Sequence, residues 1–373
     1  MTAVLRVVLD QLVGPTDADL AMASRELSRA LVVTAPKDCE VAAIVPAAAS
    51  PADADDALER AVPGLAEVTR SALARRELAA SWQLGITPGI GGGMIHSPTL
   101  LAPLVRHDRV HDHDQTVVTL WDLDAWERPE ELARGAVGWH KAMLKRAVKH
   151  ADAVVVPTHA AAARVGELGA FGDRIRVIAG AAPAGFRVPT DEVGRRRGLA
   201  VPDGSLVIAG TAAPSARLSD AFVAIARAGS DLPVVVIDAP EDDEPAVLEH
   251  AAAAGIAAGR VHVRRVRDDA DRAAVLAGAV ALIAPSQLTA FPWRVVEALA
   301  VGVPVVAADS DTHRQVILDG GLLAASDELG AGLAAILDSV AAVERYAVLA
   351  GDRGRAFSWR SAAERVWQLH ADL

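Results

Sequence analysis

The chain has 373 residues, a formal net charge of −11, 52% hydrophobic and 23% charged residues, and one cysteine. This length and balance fit a globular chain of about two domains, and the acidic excess argues against a general nucleic-acid binder. Lone Cys39 excludes an internal disulfide and a multi-cysteine metal site, which fits the cytosol. Mean hydropathy is +0.26, but Ala and Val in short runs supply it, and none approaches the roughly 18–20 apolar residues of a membrane span.

Residues 1–12 carry no basic region and read as a first strand, not a signal peptide. Short apolar runs at 5–9, 40–46, 115–120, 153–156 and 175–178 have the length of buried strands. Helical spacing covers 19–31, 53–80, 129–150 and a segment from about 160. A glycine-rich loop at 89–93 leads to a short strand at 94–95 that ends in His96-Ser97-Pro98. Its glycines neither follow a strand nor open a helix, so they are not a dinucleotide fingerprint. Residues 1–180 thus read as one doubly wound domain, and 179–189 has the composition of a linker. The pattern then restarts, with strands at 205–210, 232–237 and 261–266 and helices at 218–228, 244–255 and 270–277.

Residues 280–309 form the most informative stretch. An apolar run at 280–284 is broken by Pro285-Ser286, and a loop leads to Pro292 at a helix start. Val295, Val296, Leu299 and Ala300 follow at helical spacing, Gly302 caps the helix, and 303–308 is a second strand. Glu297 is the only acid between Asp271 and Asp309. Its two oxygens could accept from paired ligand hydroxyls; a helix-surface glutamate is the competing reading. The free N–H groups of the helix start favour a phosphate. A helix at 328–339 and the tail from Phe357 complete the chain.

The segment from Pro285 to Val306 resembles the nucleotide-sugar signature of the retaining family-4 glycosyltransferases, which have the two-domain GT-B fold. Short motifs at 96–98, 117–119, 151–154, 320–323 and 357–359 fall in the family's order, so the resemblance covers nearly the whole chain. It implies an α/β protein of two Rossmann-like domains facing each other across a cleft. Residues 1–180, with 357–373 crossing back, would hold the acceptor, and 190–356 the nucleotide sugar. It also implies that Glu297 binds the ribose, with Ser286, Gly210, Phe291, Pro292 and Trp293 near the nucleotide. Arg217, Thr289, Asp122 and His96 occupy the catalytic positions or stand beside them. The reaction implied is metal-independent and retaining, with no cofactor beyond the donor.

Several positions depart from the family pattern. Thr289 replaces its first glutamate, Ala290 and Pro292 its loop glycines, Thr211 and Ala216 its Arg and Lys, and Trp121 its His. Arg217, one residue past Ala216, is the candidate substitute for the missing cation. Pro292 removes a backbone donor from the helix start. These departures set a second reading beside the transferase: a catalytically inactive GT-B scaffold that binds a ligand or a partner glycosyltransferase subunit. Asp122-x-Asp124 resembles a metal-binding motif of single-domain GT-A transferases, a fold with no place for the second half. The loop at 107–114 has the composition of a metal cluster but carries an Arg and reads as solvated. Lys141, Lys145 and Lys149 form a basic stripe, read as a solvated face or as a contact for anionic head groups or a phosphorylated acceptor. The expected partners are therefore a nucleotide sugar, a lipid-linked or phosphorylated acceptor and a peripheral membrane surface.

Overall fold

A computed structural model describes residues 3–87, 89–90 and 92–373; Gly91 of the glycine-rich loop lies outside the described residues. The chain divides into two compact units, 1–180 with 358–373, and 181–357.

The first unit is built on seven parallel strands: β1 (Ala3–Val8), β2 (Cys39–Ala47), β3 (Val68–Ala74), β4 (Met94–Ser97), β5 (Gln115–Thr119), β6 (Ala153–Val156) and β7 (Ile175–Val177). Their order is 3-2-1-4-5-6-7. The second unit has six parallel strands: β8 (Ser205–Ala209), β9 (Val234–Ile237), β10 (Val261–Val263), β11 (Ala279–Ala284), β12 (Val305–Ala308) and β13 (Leu322–Ala324). They lie in the order 10-9-8-11-12-13. Both sheets therefore run outward from a central pair, as in doubly wound nucleotide-binding folds.

The central strands read as unbroken apolar runs because helices cover both faces of the sheet. β6, β9 and β12 are buried at every residue. The helix Leu218–Arg227 buries Leu218, Ala221, Phe222 and Ile225, a three-and-four spacing that lays one stripe on Leu206, Ile208 and Val236. The helix Trp293–Ala300 ends at Gly302, whose φ of 71° lets Val303 N–H return to Ala298 O at 2.9 Å.

One sequence expectation is corrected. Residues 53–80 are not one helix but a helix Pro51–Ala61, strand β3 and a helix Arg75–Gln83. β3 is an edge strand, paired only with β2 and partly exposed along its length. It therefore needs no apolar run, and its Thr69, Arg70 and Ser71 masked it.

The helix Trp359–Asp372, started by Ser358 Oγ accepting from Ser361 N–H, packs on the helix Ala18–Val33 of the same unit. Trp367 Nε1 donates to Leu31 O at 3.1 Å. Its His370 joins a buried chain. His370 Nδ1 lies 3.0 Å from Gln115 Oε1, His96 Nδ1 lies 3.4 Å from His370 Nε2, and Thr119 Oγ1 lies 3.1 Å from His96 Nε2. An amide oxygen only accepts, so each imidazole donates toward Gln115, and both are neutral. Burial lowers both pKa values, His370 to about 4. Because the unfolded imidazoles titrate near 6.5, the unfolded state binds more protons below that pH. Stability is thus complete above pH 6.5 and is lost as pH falls toward 4, by on the order of 3 kcal/mol from His370 alone. In urea melts at pH 7 and pH 5, His370→Gln is expected to flatten this loss.

Candidate functional site

An open parallel sheet offers a ligand its carboxyl edge, at the point where strand order reverses. Those points are the β1/β4 pair in the first unit and the β8/β11 pair in the second.

In the first unit the segments leaving β1, β4 and β5 contribute Gln11, Thr99, Trp121 and Asp122 to a cavity of about 650 Å³, closed by residues of the helices Arg75–Gln83 and Arg134–His150. Buried Asp10 accepts from Arg75 Nε at 2.9 Å, Gln11 Nε2 at 2.9 Å and Thr99 Oγ1 at 3.4 Å. Burial nonetheless holds its pKa above the usual carboxylate range. Asp122 is raised to about 6, first by burial and then by the Asp124 carboxylate, with His140 opposing. A carboxyl titrating there can take or give a proton near neutrality.

Three of the seven tryptophans, Trp121, Trp126 and Trp139, line this cavity. Trp121 is buried, with ring centroids 5.9 Å from Trp359 in an edge-to-face arrangement. Trp139 is held by a bond from Nε1 to Ala79 O at 3.2 Å.

His96, expected on the acceptor side with Asp122, is not among the lining residues. It is fully buried in the His370 chain, so β4 aims it into the core. Sequence reasoning missed Arg75, Asp10 and His140, which long separations bring together; no local spacing signals them.

In the second unit Gly210 leaves β8 with a φ of 149°, and a Cβ there would stand 3.1 Å from Ala216 Cβ. Thr211 Oγ1 accepts from Ala213 N–H at 3.2 Å, and Asp243 accepts from Ala212 N–H at 2.7 Å. Ser286 follows β11 and is half-buried, as is Thr289. Phe291 is buried, with ring centroids 4.6 Å from Trp293 and 6.3 Å from Phe357. Buried Pro292 immediately precedes the helix, whose first N–H, on Trp293, bonds Phe291 O at 3.1 Å. The donors at this helix start are thus reduced by one proline and one local bond.

The two charged residues expected here are both engaged. Arg217, at a left-handed φ of 54°, donates from Nε to Asp220 Oδ2 at 2.6 Å on its own helix. Glu297 is not on the helix surface: it has no exposure, and its Oε1 accepts from Arg294 Nη1 at 2.7 Å and Arg272 Nη1 at 3.2 Å. Arg294 also donates to Asp238 at the end of β9. The i, i+3 spacing of Arg294 and Glu297 could have signalled this pair from sequence. Arg272 and Asp238 could not be foreseen.

No group of three or more His, Cys, Asp or Glu among the described residues is placed to hold a metal. The acidic-histidine loop instead pairs internally and with the sheet: His111 Nδ1 with Asp108 and His107 Nε2 with Asp152, each at 2.8 Å.

Residues 205–341 match the family described as Glycosyl transferases group 1. A phosphatidyl-myo-inositol mannosyltransferase of Mycobacterium leprae is 34% identical over 109 residues, 28% of this chain and 29% of that protein. The chain therefore spans less than a third of that curated relative. Among solved structures, Anabaena HepE with UDP-glucose aligns over 99% of this chain and all of its own, with TM-score 0.72 and 15% identity. Sucrose-phosphate synthase of Thermosynechococcus elongatus aligns over 99% and 98%, with TM-score 0.69 and 17% identity. At these identities the likeness establishes the fold, two Rossmann-like units of GT-B type.

Two outcomes follow. Between pH 3.8 and about 6 the folded chain keeps an Asp122 proton that the unfolded chain releases, so this group's contribution falls as pH rises through that window. Asp122→Asn is expected to raise the melting temperature by several degrees at pH 8, where the partly buried charge costs on the order of 2–3 kcal/mol. At pH 4 it should leave the melting temperature unchanged. Glu297→Ala leaves two largely buried guanidiniums without their shared carboxylate, and about 3–5 kcal/mol of unfolding free energy should be lost in denaturant titration.

Proposed function

We propose, from the premise of a GT-B chain whose second unit matches the group 1 glycosyltransferases, that this protein transfers a sugar from a nucleotide-diphosphate sugar to an acceptor hydroxyl. The observation that carries the reading is the placement of polar groups where strand order reverses: Gln11 and Thr99 after β1 and β4 with Asp122 after neighbouring β5, and the Gly210 turn and Ser286 after β8 and β11. The acceptor occupies the cavity lined by Trp121 and Asp122. The donor lies against the second unit, with its diphosphate toward Gly210, Ser286 and the start of the helix Trp293–Ala300.

The reaction proceeds with retention. The bond from the anomeric carbon to the diphosphate oxygen breaks, the acceptor oxygen bonds the same face, and its proton passes to the departing diphosphate. The leaving diphosphate must be met by positive charge. Arg217 supplies it by exchanging Asp220 for the phosphate, a side-chain movement at an exposed loop–helix junction. The protein needs no metal for this step. Glu297 acts on the donor through Arg294, whose position it sets, or on the ribose if those ion pairs open. UDP-glucose, which the Anabaena protein holds in its crystal structure, is the first donor to test.

A second reading is favoured by one observation. With the Glu297 carboxylate held by two guanidiniums and Arg217 by Asp220, the donor side is charge-satisfied without a ligand. In that case the chain binds a nucleotide or a partner transferase and does not turn over. Calorimetry with UDP, GDP and their sugars, followed by product analysis, separates the two. Turnover giving an axial product by NMR, reduced at least 10²-fold by Arg217→Ala, is the expected result. Binding without turnover would select the scaffold, and the absence of any nucleoside-diphosphate binding would defeat the transferase and the nucleotide-binding scaffold alike, leaving the partner subunit.

A further inference from the structure

The amino end of the first sheet carries a second concavity, unrelated to the Trp121 cavity at the carboxyl end. It has a volume of about 590 Å³ and is bounded by the segment entering β5, the end of the helix Arg134–His150 and the start of β7. Five permanent cations line it: Arg106, Arg109, Lys149, Arg174 and Arg176. Among the described residues none of the five forms an ion pair with a carboxylate. Of the three aspartates beside them, Asp152 is spent, accepting from Thr116 N–H at 2.7 Å and pairing with His107 at 2.8 Å.

We propose that this groove binds a phosphate group, carried by a small phosphorylated molecule or by a lipid head group. Arg174 anchors its wall: the guanidinium donates to Val148 O at 2.7 Å, Ala151 O at 2.6 Å and Phe171 O at 3.0 Å, so it cannot swing away. Arg106, Arg109 and Lys149 are exposed and free to close on an incoming anion. Guanidinium forks match phosphate oxygens in pairs, and an ammonium adds a compact point charge. The field is felt locally. His150 has its pKa lowered first by burial and then by Arg146, Lys149 and His107, and the lining itself sets five permanent cations against three aspartates, an excess of positive side chains. On a chain of net charge −11 that excess runs against the global sign. The groove also gives a role to two features of the sequence, Lys149 of the basic stripe and the loop at 107–114.

The inference is independent of the transferase reading, because no residue of this groove serves the donor or the acceptor cavity. The test uses the full chain in low salt. Pyrophosphate and inorganic phosphate are titrated by calorimetry, and sedimentation is measured with vesicles of phosphatidic acid in phosphatidylcholine. Wild type is expected to bind at least one probe, with affinity falling as sodium chloride is raised. The double change Arg106→Glu with Lys149→Glu should weaken that binding at least tenfold. Lys141→Glu with Lys145→Glu, on the same helix but outside the groove, should leave it intact. Binding of free phosphate assigns a small phosphorylated ligand, and binding of vesicles alone assigns a head group. Both changes alter exposed side chains, and unchanged melting curves verify folding. If neither probe binds, if the groove variant binds as wild type, or if the stripe variant loses as much, the proposal is overturned.

Discussion

A parallel strand covered on both faces can carry chemistry only where it ends. β6, β9 and β12 are buried at every residue, and their backbone groups are consumed by the ladders on either side. Any polar side chain in their midst would have to find its partner within the core. In the neighbouring buried strands β4 and β5, His96 and Thr119 show that cost being met, through a relay of neutral imidazoles that reaches Gln115. Everything else of chemical use is displaced to the strand ends. The carboxyl ends hold the Trp121 cavity and the Gly210 and Ser286 loops, and the amino end of the first sheet holds the cationic groove.

Charge is allotted differently at the two carboxyl edges. In the first unit Asp10 and Asp122 are carboxylates whose pKa values burial has raised, against Arg75 in one case and His140 in the other. Groups of this kind exchange protons readily. In the second unit Arg294 stands between Asp238 and Glu297, and Arg272 adds a second bond to Glu297. Breaking such a cluster leaves an uncompensated buried charge, so it behaves as a structural element unless a ligand replaces one member. This difference separates an edge ready for proton traffic from one whose charges already answer one another.

Legibility followed burial. Runs such as 153–156 and 205–210 announced themselves because both faces of those strands are apolar. β3 did not, because an edge strand with exposed Thr69, Arg70 and Ser71 has no such requirement. Gly210, Ser286 and Asp122 each stand just past the end of a strand, since a glycine, a serine or an acid after an apolar run marks where a strand stops. His96 lies within β4, where Ile95, His96 and Ser97 are all buried, so a place inside a strand covered on both faces puts it in the core.

The sequence alone determined the α/β alternation, the restart near residue 190 and the strand–loop–helix–strand frame around Glu297, because these depend on local periodicity and on proline and glycine. Only the tertiary structure decided which polar groups are free and which are spent. Arg272 meets Glu297 across 25 positions, Arg75 meets Asp10 across 65, and His370 meets His96 across 274. No spacing rule reaches so far: such pairs are set by how helices pack on a sheet, and a pattern of residue types is blind to that.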